Sequence, residues 1–219
     1  MKKKITSLVL NILCFVSVLV GFIMIFTSDR PSDAPIPVHT FRYFTTDSNL
    51  LMGIIALIFA VFQILEMKGK VKEIPSAIYL MKLIGTVEVG VTFFTVLFYL
   101  APILGNQFFS MYIGHNFFYH FFVPVLSMVS FFFFETTKKI RFRTTFYSLI
   151  PVLLYGIFYA IMAFSHATDG VVPPEYDWYG FARGGILLSA FVFLGMLVAS
   201  YLVTLLFWFL NRKLAKKEN

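Results

Sequence analysis

The residues able to do chemistry are few, and each stands in an otherwise greasy stretch. His120 is the sharpest of them, set in the run Tyr119-His120-Phe121-Phe122-Val123-Pro124. An imidazole there must hydrogen-bond or titrate, and it is the usual general base near neutral pH. Thr45 and Thr46 precede Asp47-Ser48-Asn49 at the head of a second apolar run. Thr, Asp and Ser at such a place serve as ordinary helix caps. The same place offers backbone N–H groups and the positive end of a helix dipole, which hold an oxyanion beside a hydroxyl nucleophile. Glu88 is a lone carboxylate near the middle of a third run. It reads as a proton carrier, a partner for Thr92, or an orienting group for His120. Asn49, Asn116, Tyr155 and Tyr159 are polar groups placed to line or support a common site. Arg183 reads as an anchor for an acidic head group or as a partner for Asp177 or Glu175. Lys82 lies near the end of its run, where it is expected to snorkel toward the head groups as a structural residue.

Other chemistries find no support. His39, His166, Asp169 and Glu175 have spacings that match no metal-ligand pattern, so neither a metal nor a cofactor is expected. The sequence has no G-x-S-x-G elbow, H-E-x-x-H pair, Walker loop or dinucleotide fingerprint. Cys14 is the only cysteine, which excludes an intrachain disulfide.

The elements that position these residues follow from composition. Of 219 residues, 59% are apolar and 13% charged, and the mean hydropathy is +0.83. A soluble domain carries about a quarter charged residues, so this balance belongs to the membrane class. Apolar segments run near 5–27, 48–66, 77–101, 113–134, 144–165 and 184–210. Each reaches the roughly 20 residues that a helix needs to cross a ~30 Å hydrocarbon core. The first has a basic start like a signal peptide, but its length and the lack of a small-residue cleavage site make it a retained helix. The expected fold is an all-α bundle of six transmembrane helices forming one domain over 1–219.

The net charge of +7 is topological. Lys2, Lys3, Lys4, Lys68, Lys70, Lys72, Lys138, Lys139, Arg141, Arg143, Arg212, Lys213, Lys216 and Lys217 fall on one side of an alternating path. Arg30, Arg42 and Arg183 fall on the other. The positive-inside rule then places both termini in the cytoplasm. The basic residues are not interleaved with aromatics on a polar face, so nucleic acid is not an expected partner; the bilayer is. The long outer loops, 28–47 and 166–183, carry Pro31, Pro35, Pro37, Pro173 and Pro174.

Polar residues in a membrane helix face the bundle or a wet cavity. Glu88, Thr92, Thr95 and Tyr99 fall at helical spacing, as do Asn116, His120 and Ser127, and Tyr155, Tyr159 and His166. Together with the 45–49 segment they are expected to surround a cavity in the outer half of the bundle. The inner half is greasier apart from Gln63, Lys82, Ser200 and Thr204.

Two motifs carry a resemblance. Tyr43-Phe44-Thr45 followed by Ser48-Asn49-Leu50-Leu51 resembles the second-helix signature of a group of bacterial six-helix membrane proteins. Tyr119-His120-Phe121-Phe122-Val123-Pro124-Val125-Leu126 resembles their fourth-helix His-x-x-x-Pro signature. Both resemble, more distantly, the androgen-induced and androgen-dependent membrane hydrolases of animals. Those enzymes use an intramembrane threonine and histidine to cleave fatty-acid esters of hydroxy fatty acids. The resemblance implies that His120 is the catalytic histidine. It leaves the nucleophile open, since Thr45 has the aromatic-x-Thr context and Thr46 the Thr-x-x-Asn spacing to Asn49. It also implies a bacterial cytoplasmic membrane as the location.

The expected function is a hydrolase or acyltransferase of amphipathic acyl esters, with Thr45 or Thr46 as nucleophile and His120 as base. Asn49 or backbone N–H groups would hold the oxyanion, and Glu88 would orient His120. The competing expectation is a transporter or lipid-binding protein without catalysis, in which Glu88 and His120 relay protons or hold a ligand. Reporters fused at either terminus should signal cytoplasm, and tags inserted in 31–38 or 170–176 should be accessible from outside. An extracytoplasmic signal from a terminal reporter would overturn the charge-based topology.

Overall fold

An interior that mixes apolar clusters with many buried polar residues, and an apolar outer surface, set this architecture apart from a soluble bundle. The computed structural model describes residues 2–27 and 37–217; Arg30, Pro31 and Pro35 lie outside them. Six helices are long and apolar enough to cross a membrane. They are α1 (Lys2–Thr27), α2 (Phe44–Met67), α3 (Ser76–Tyr112), α4 (His115–Phe134), α5 (Phe142–Ser165) and α6 (Gly185–Ala215). Among the described residues there is no strand, only an isolated bridge between Thr168 and Val171. One end of the bundle carries the starts of α1, α3 and α5 with their flanking basic residues, and is called the basic end below.

On α1 the buried positions are Ser7, Asn11, Cys14, Val18, Gly21 and Ile25, with Ser17 beside them. The alternation of three- and four-residue steps is the stripe that one helix face presents to its neighbours. The outward face holds Val9, Ile12, Val16 and Ile23, as expected where lipid replaces water. Helices α1 to α4 pack together around Cys14, Val18, Met52, Ala56, Val89 and Val123. Helix α3 also packs on α6, through Leu83 and Val87 against Phe207. A pair of hydroxyls, Ser148 and Thr204 at 2.7 Å, joins α5 to α6. Asn211 ties α6 to the end of α4, donating to the carbonyls of Phe131 and Glu135 and accepting from the Thr137 N–H.

The helices differ from the sequence expectation in two ways with physical causes. First, α2 begins at Phe44, so Thr45 and Thr46 lie within its first turn. The N-cap is Tyr43, which makes no side-chain cap bond. The Phe44 N–H is instead satisfied by the Tyr179 hydroxyl at 3.0 Å, from the loop before α6. Burial pushes the Tyr179 phenol above its ordinary pKa, which keeps it neutral. Second, α3 and α4 contain wide, π-type turns at Thr95–Leu100, Phe118–Phe122 and Ser130–Phe134. The first two end where Ala101 and Val123 donate to the carbonyls five residues back. Each is followed directly by proline, Pro102 or Pro124. A proline removes one i→i−4 bond and crowds the carbonyl four residues back, and the wider turn absorbs both. The extra residue rotates the helix face by about 100°. Thr95, whose N–H still bonds the Val91 carbonyl four residues back, and Tyr99 beyond it are exposed, whereas Glu88 and Thr92 are buried, so the expected continuous stripe on α3 ends at Thr92.

Lys82 corrects the expectation of snorkelling, because it is fully buried. Its ammonium donates to Asn11 Oδ1 and lies 3.4 Å from Glu135 Oε2. The other oxygen of Glu135 accepts from Ser7 Oγ at 2.8 Å, from Asn11 Nδ2 at 2.5 Å, and from Ser130 Oγ. Gln63 Nε2 closes the network onto Ser7 Oγ at 2.7 Å. The third wide turn brings Glu135 inward, its N–H bonding the Ser130 carbonyl at 3.0 Å. Residues from α1, α2, α3 and the end of α4 thus meet around one buried pair. Lys82→Met should destabilise the protein by about 3–5 kcal/mol, because Glu135 is left buried and unpaired. Pairing it with Glu135→Met should recover much of that loss, as read by thermal unfolding in detergent; equal losses in the single and double variants would contradict the coupling.

Candidate functional site

His120 lies in the second wide turn, on the part of α4 facing α1, α2 and α3, and is 6% exposed. Its Nδ1 is 2.8 Å from the Met111 carbonyl. Since a carbonyl only accepts, Nδ1 carries the proton and Nε2 is left as the basic nitrogen. Met111 is delivered by residues 105–112, which continue α3 as a tight 3₁₀ turn across the head of α4. The orienting role expected of Glu88 therefore falls to a backbone carbonyl. Close packing behind the histidine is tight: a Cβ on Gly21 of α1 would come within 2.5 Å of the Tyr119 ring.

Asn49 joins the two candidate segments. Its side chain is fully buried, and Nδ2 donates to the Thr45 carbonyl at 2.8 Å and to the Tyr119 carbonyl at 3.1 Å. The turn holding Thr45 is thereby fastened to the residue preceding His120. Both protons of the amide are engaged, so Asn49 cannot also donate to an oxyanion. The backbone supplies an alternative. The N–H groups of Thr46 and Asp47 bond the Tyr43 carbonyl and that of Phe44 bonds Tyr179, while the Thr45 N–H has no acceptor among the described residues.

The two threonines differ in surroundings. Thr46 is buried, and its hydroxyl shares a 3.3 Å bond with Thr40. The Thr45 hydroxyl makes no hydrogen bond among the described residues. Neither is bonded to His120. The nearest link between the segments is the Asn49 amide nitrogen, 2.8 Å from the Thr45 carbonyl and 3.1 Å from the Tyr119 carbonyl.

The supporting residues are spread over three environments. Glu88 is fully buried, and both carboxylate oxygens lack a hydrogen-bond partner among the described residues. It is not bonded to His120, although α3 and α4 adjoin. Just beyond it, Thr92 bonds Ser48 of α2 at 3.3 Å; on the other side Thr86 bonds Ser127 of α4 at 2.8 Å. The side chain of Asn116 is half-buried and makes no hydrogen bond among the described residues. Tyr155 and Tyr159 are engaged in holding loops. Tyr155 donates to the Arg42 carbonyl at 2.5 Å and accepts from Trp178 Nε1 at 3.1 Å. Tyr159 donates to Asp177, which also accepts the Ala182 N–H at 3.1 Å. Arg183 is exposed and forms no ion pair among the described residues; Asp177, one of its expected partners, is taken by Tyr159.

The principal cavity differs in place from the one expected. It has a volume of about 290 Å³ and lies between α3, α5 and α6, with Phe44 of α2 at its edge. Neither His120, Asn49 nor Glu88 lines it. A second hollow of about 210 Å³ between α2 and α5 shares Phe44 and Tyr155 with it and reaches Asp47 and Ser48.

Sequence reasoning missed Glu135, Asn11 and Ser7. The spacing of Ser7 and Asn11 with Cys14 on a membrane helix was the available signal. For Glu135 there was none, because it reads as the start of a basic loop. No protein-family model, curated protein or solved structure matches this chain. Removing the bridging amide by Asn49→Ala should cost about 1–3 kcal/mol, because carbonyls are left buried without this donor. Thermal unfolding measures it, and an unchanged midpoint would show that α2 and α4 are held in register by other contacts.

Proposed function

We propose that the protein is an intramembrane hydrolase of amphipathic acyl esters, with Thr45 as nucleophile and His120 as general base. The observation that carries this reading is Asn49, whose buried amide fastens the Thr45 turn to the turn of His120. Two further features favour it. The Met111 carbonyl holds His120 in the tautomer whose Nε2 accepts a proton. Thr45 also has a hydroxyl and an N–H without hydrogen-bond partners among the described residues, at a helix start, where an anion is stabilised.

In this reaction the Thr45 hydroxyl adds to the ester carbonyl carbon while His120 Nε2 takes its proton. The oxyanion is held by the Thr45 N–H and the positive end of α2. Collapse expels the alcohol, which receives the proton from His120, and leaves an acyl-threonine. Water then attacks with His120 again as base, releasing the carboxylic acid and restoring Thr45. The hydrogen bond between Thr45 and His120 forms in this reading only when substrate is bound, as catalytic bonds of unliganded enzymes are often loose. Both termini on the cytoplasmic side of a bacterial membrane, inferred from charge alone, would place this chemistry in the outer half of the bilayer.

A second reading, proton-coupled transport without hydrolysis, is favoured by one observation, the buried and unpartnered carboxyl of Glu88. Intramembrane carboxyls of this kind commonly carry protons. Purified protein incubated with a long-chain acyl ester separates the two. Hydrolysis should be lost in His120→Ala and Thr45→Ala, by about 10²-fold or more for a general base, and kept in Thr46→Ala. Wild-type protein that cleaves no ester, or Thr45→Ala with full activity, would remove this assignment, and proton uptake abolished by Glu88→Gln would establish the transport reading.

A further inference from the structure

The cavity between α3, α5 and α6 stands apart from the His120 site and from the buried ion pair. Its wall is apolar almost throughout, with Gly156 and Ala160 of α5 facing Ala190, Phe193 and Met196 of α6. Most of the few polar groups on it are already engaged, the exception being the Thr95 hydroxyl, which makes no hydrogen bond among the described residues. Tyr155 and Tyr159 hold Arg42 and Asp177, and Ser189 bonds the carbonyls of Phe181 and Gly185 at 2.8 and 2.9 Å. Apart from the Thr95 hydroxyl, its walls therefore offer shape and dispersion contact rather than hydrogen bonds.

The small residues make the space. A Cβ on Gly156 would fall 1.8 Å from the Phe193 ring, so the glycine lets that ring lie back against α5 and leaves the volume open. At one end the cavity reaches Phe44, the residue before Thr45 in the first turn of α2. At that same end, Tyr155 and Trp178 form a hydrogen-bonded aromatic cap. A molecule with one apolar tail inside would thus have its polar end beside the α2 start.

We infer that this cavity is a binding site for a single aliphatic chain of an amphipathic lipid, its length set by Gly156, Ala160 and Phe193. The inference deepens the hydrolase reading and rests on it for the chain's chemical fate, since the tail would belong to the acyl ester; binding itself does not require catalysis. The bilayer supplies hydrocarbon everywhere, so selectivity comes from fit. The outward face of α1, with Val9, Ile12 and Val16, is equally apolar but flanks no such space.

The test uses full-length protein in lipid nanodiscs and palmitic acid carrying a mid-chain diazirine, with labelled peptides mapped by mass spectrometry. Label should concentrate in 156–164 and 186–196, and unlabelled palmitate should compete it away. Ala160→Trp, which fills the space, should abolish that labelling, and Gly156→Val should do so by driving Phe193 into it. Leu202→Trp, on the outward face of α6, should leave it intact. Should Ala160→Trp fail to fold, Ala160→Leu with Ala190→Leu takes its place with the same expected loss. Label spread equally over α1, or persisting in a folded cavity-filled variant, would overturn the inference. Wild-type labelling lost in the filled variants, with no ester cleaved by any of them, would leave the binding site standing and remove only the hydrolase reading. Ester hydrolysis with label and chain-length preference unchanged by filling would remove only the binding site.

Discussion

The buried pair of Lys82 and Glu135 is the constraint on which the rest of the bundle depends. Two charges withdrawn from water cost several kcal/mol each unless geometry and hydrogen bonds offset the loss. Here the offset comes from Asn11 and Ser7 on α1 and Ser130 on α4, which bond the charges, with Gln63 on α2 bonding Ser7 behind them. A shift of α1, α3 or the end of α4 relative to the others would strip a charge of its partners. In hydrocarbon, burial of apolar surface gives helices little reason to associate. A polar network with one satisfying arrangement supplies that reason and fixes the register as well.

The wide turns connect this anchor to the opposite end. The turn at Ser130–Phe134 brings Glu135 to Lys82, and the one at Phe118–Phe122 holds His120 beside α2. Both lie on α4, separated by the α-helical segment Val123–Val129. Pro124 gives the second of them a local cause, since its ring and missing N–H disfavour an ordinary turn around His120. Orientation of the imidazole then comes from the Met111 carbonyl, which exists only because α3 continues as a 3₁₀ turn over α4. The candidate site is thus assembled by backbone irregularities on two neighbouring helices and locked by a single amide, Asn49.

The bundle is asymmetric in its packing. Helices α1 to α4 interlock, whereas α6 keeps only 6% of its most apolar window buried. Its contacts with α5 include the Ser148–Thr204 bond and the stacked Phe146 and Tyr201 rings near the basic end and the Gly156–Phe193 contact higher up. Loose packing there leaves the apolar cavity, while the loop before α6 is drawn back over it by Tyr155, Tyr159 and Tyr179. Rigid polar core and open apolar flank divide the molecule between positioning and accommodation.

Six spanning helices and their approximate limits were legible in the sequence, because hydrocarbon thickness dictates segment length whatever the neighbours do. So was the inward preference of His120, Glu88 and Asn49, since an ionisable or amide group in lipid must seek the bundle. Contacts between helices were not. Lys82 has the reach to snorkel, and only the arrival of Glu135 from 53 positions later in the chain makes burial the better state. The stripe on α3 was read as continuous, but burial along it ends at Thr92, and the wide turn before Pro102 re-aims the residues beyond Thr95. Asn49 read as a candidate oxyanion donor, yet tertiary structure commits both its protons to carbonyls. Sequence determines which groups must leave lipid, a local property of each side chain. Which partner each one meets depends on the relative rotation and depth of separate helices, and only their packing decides that.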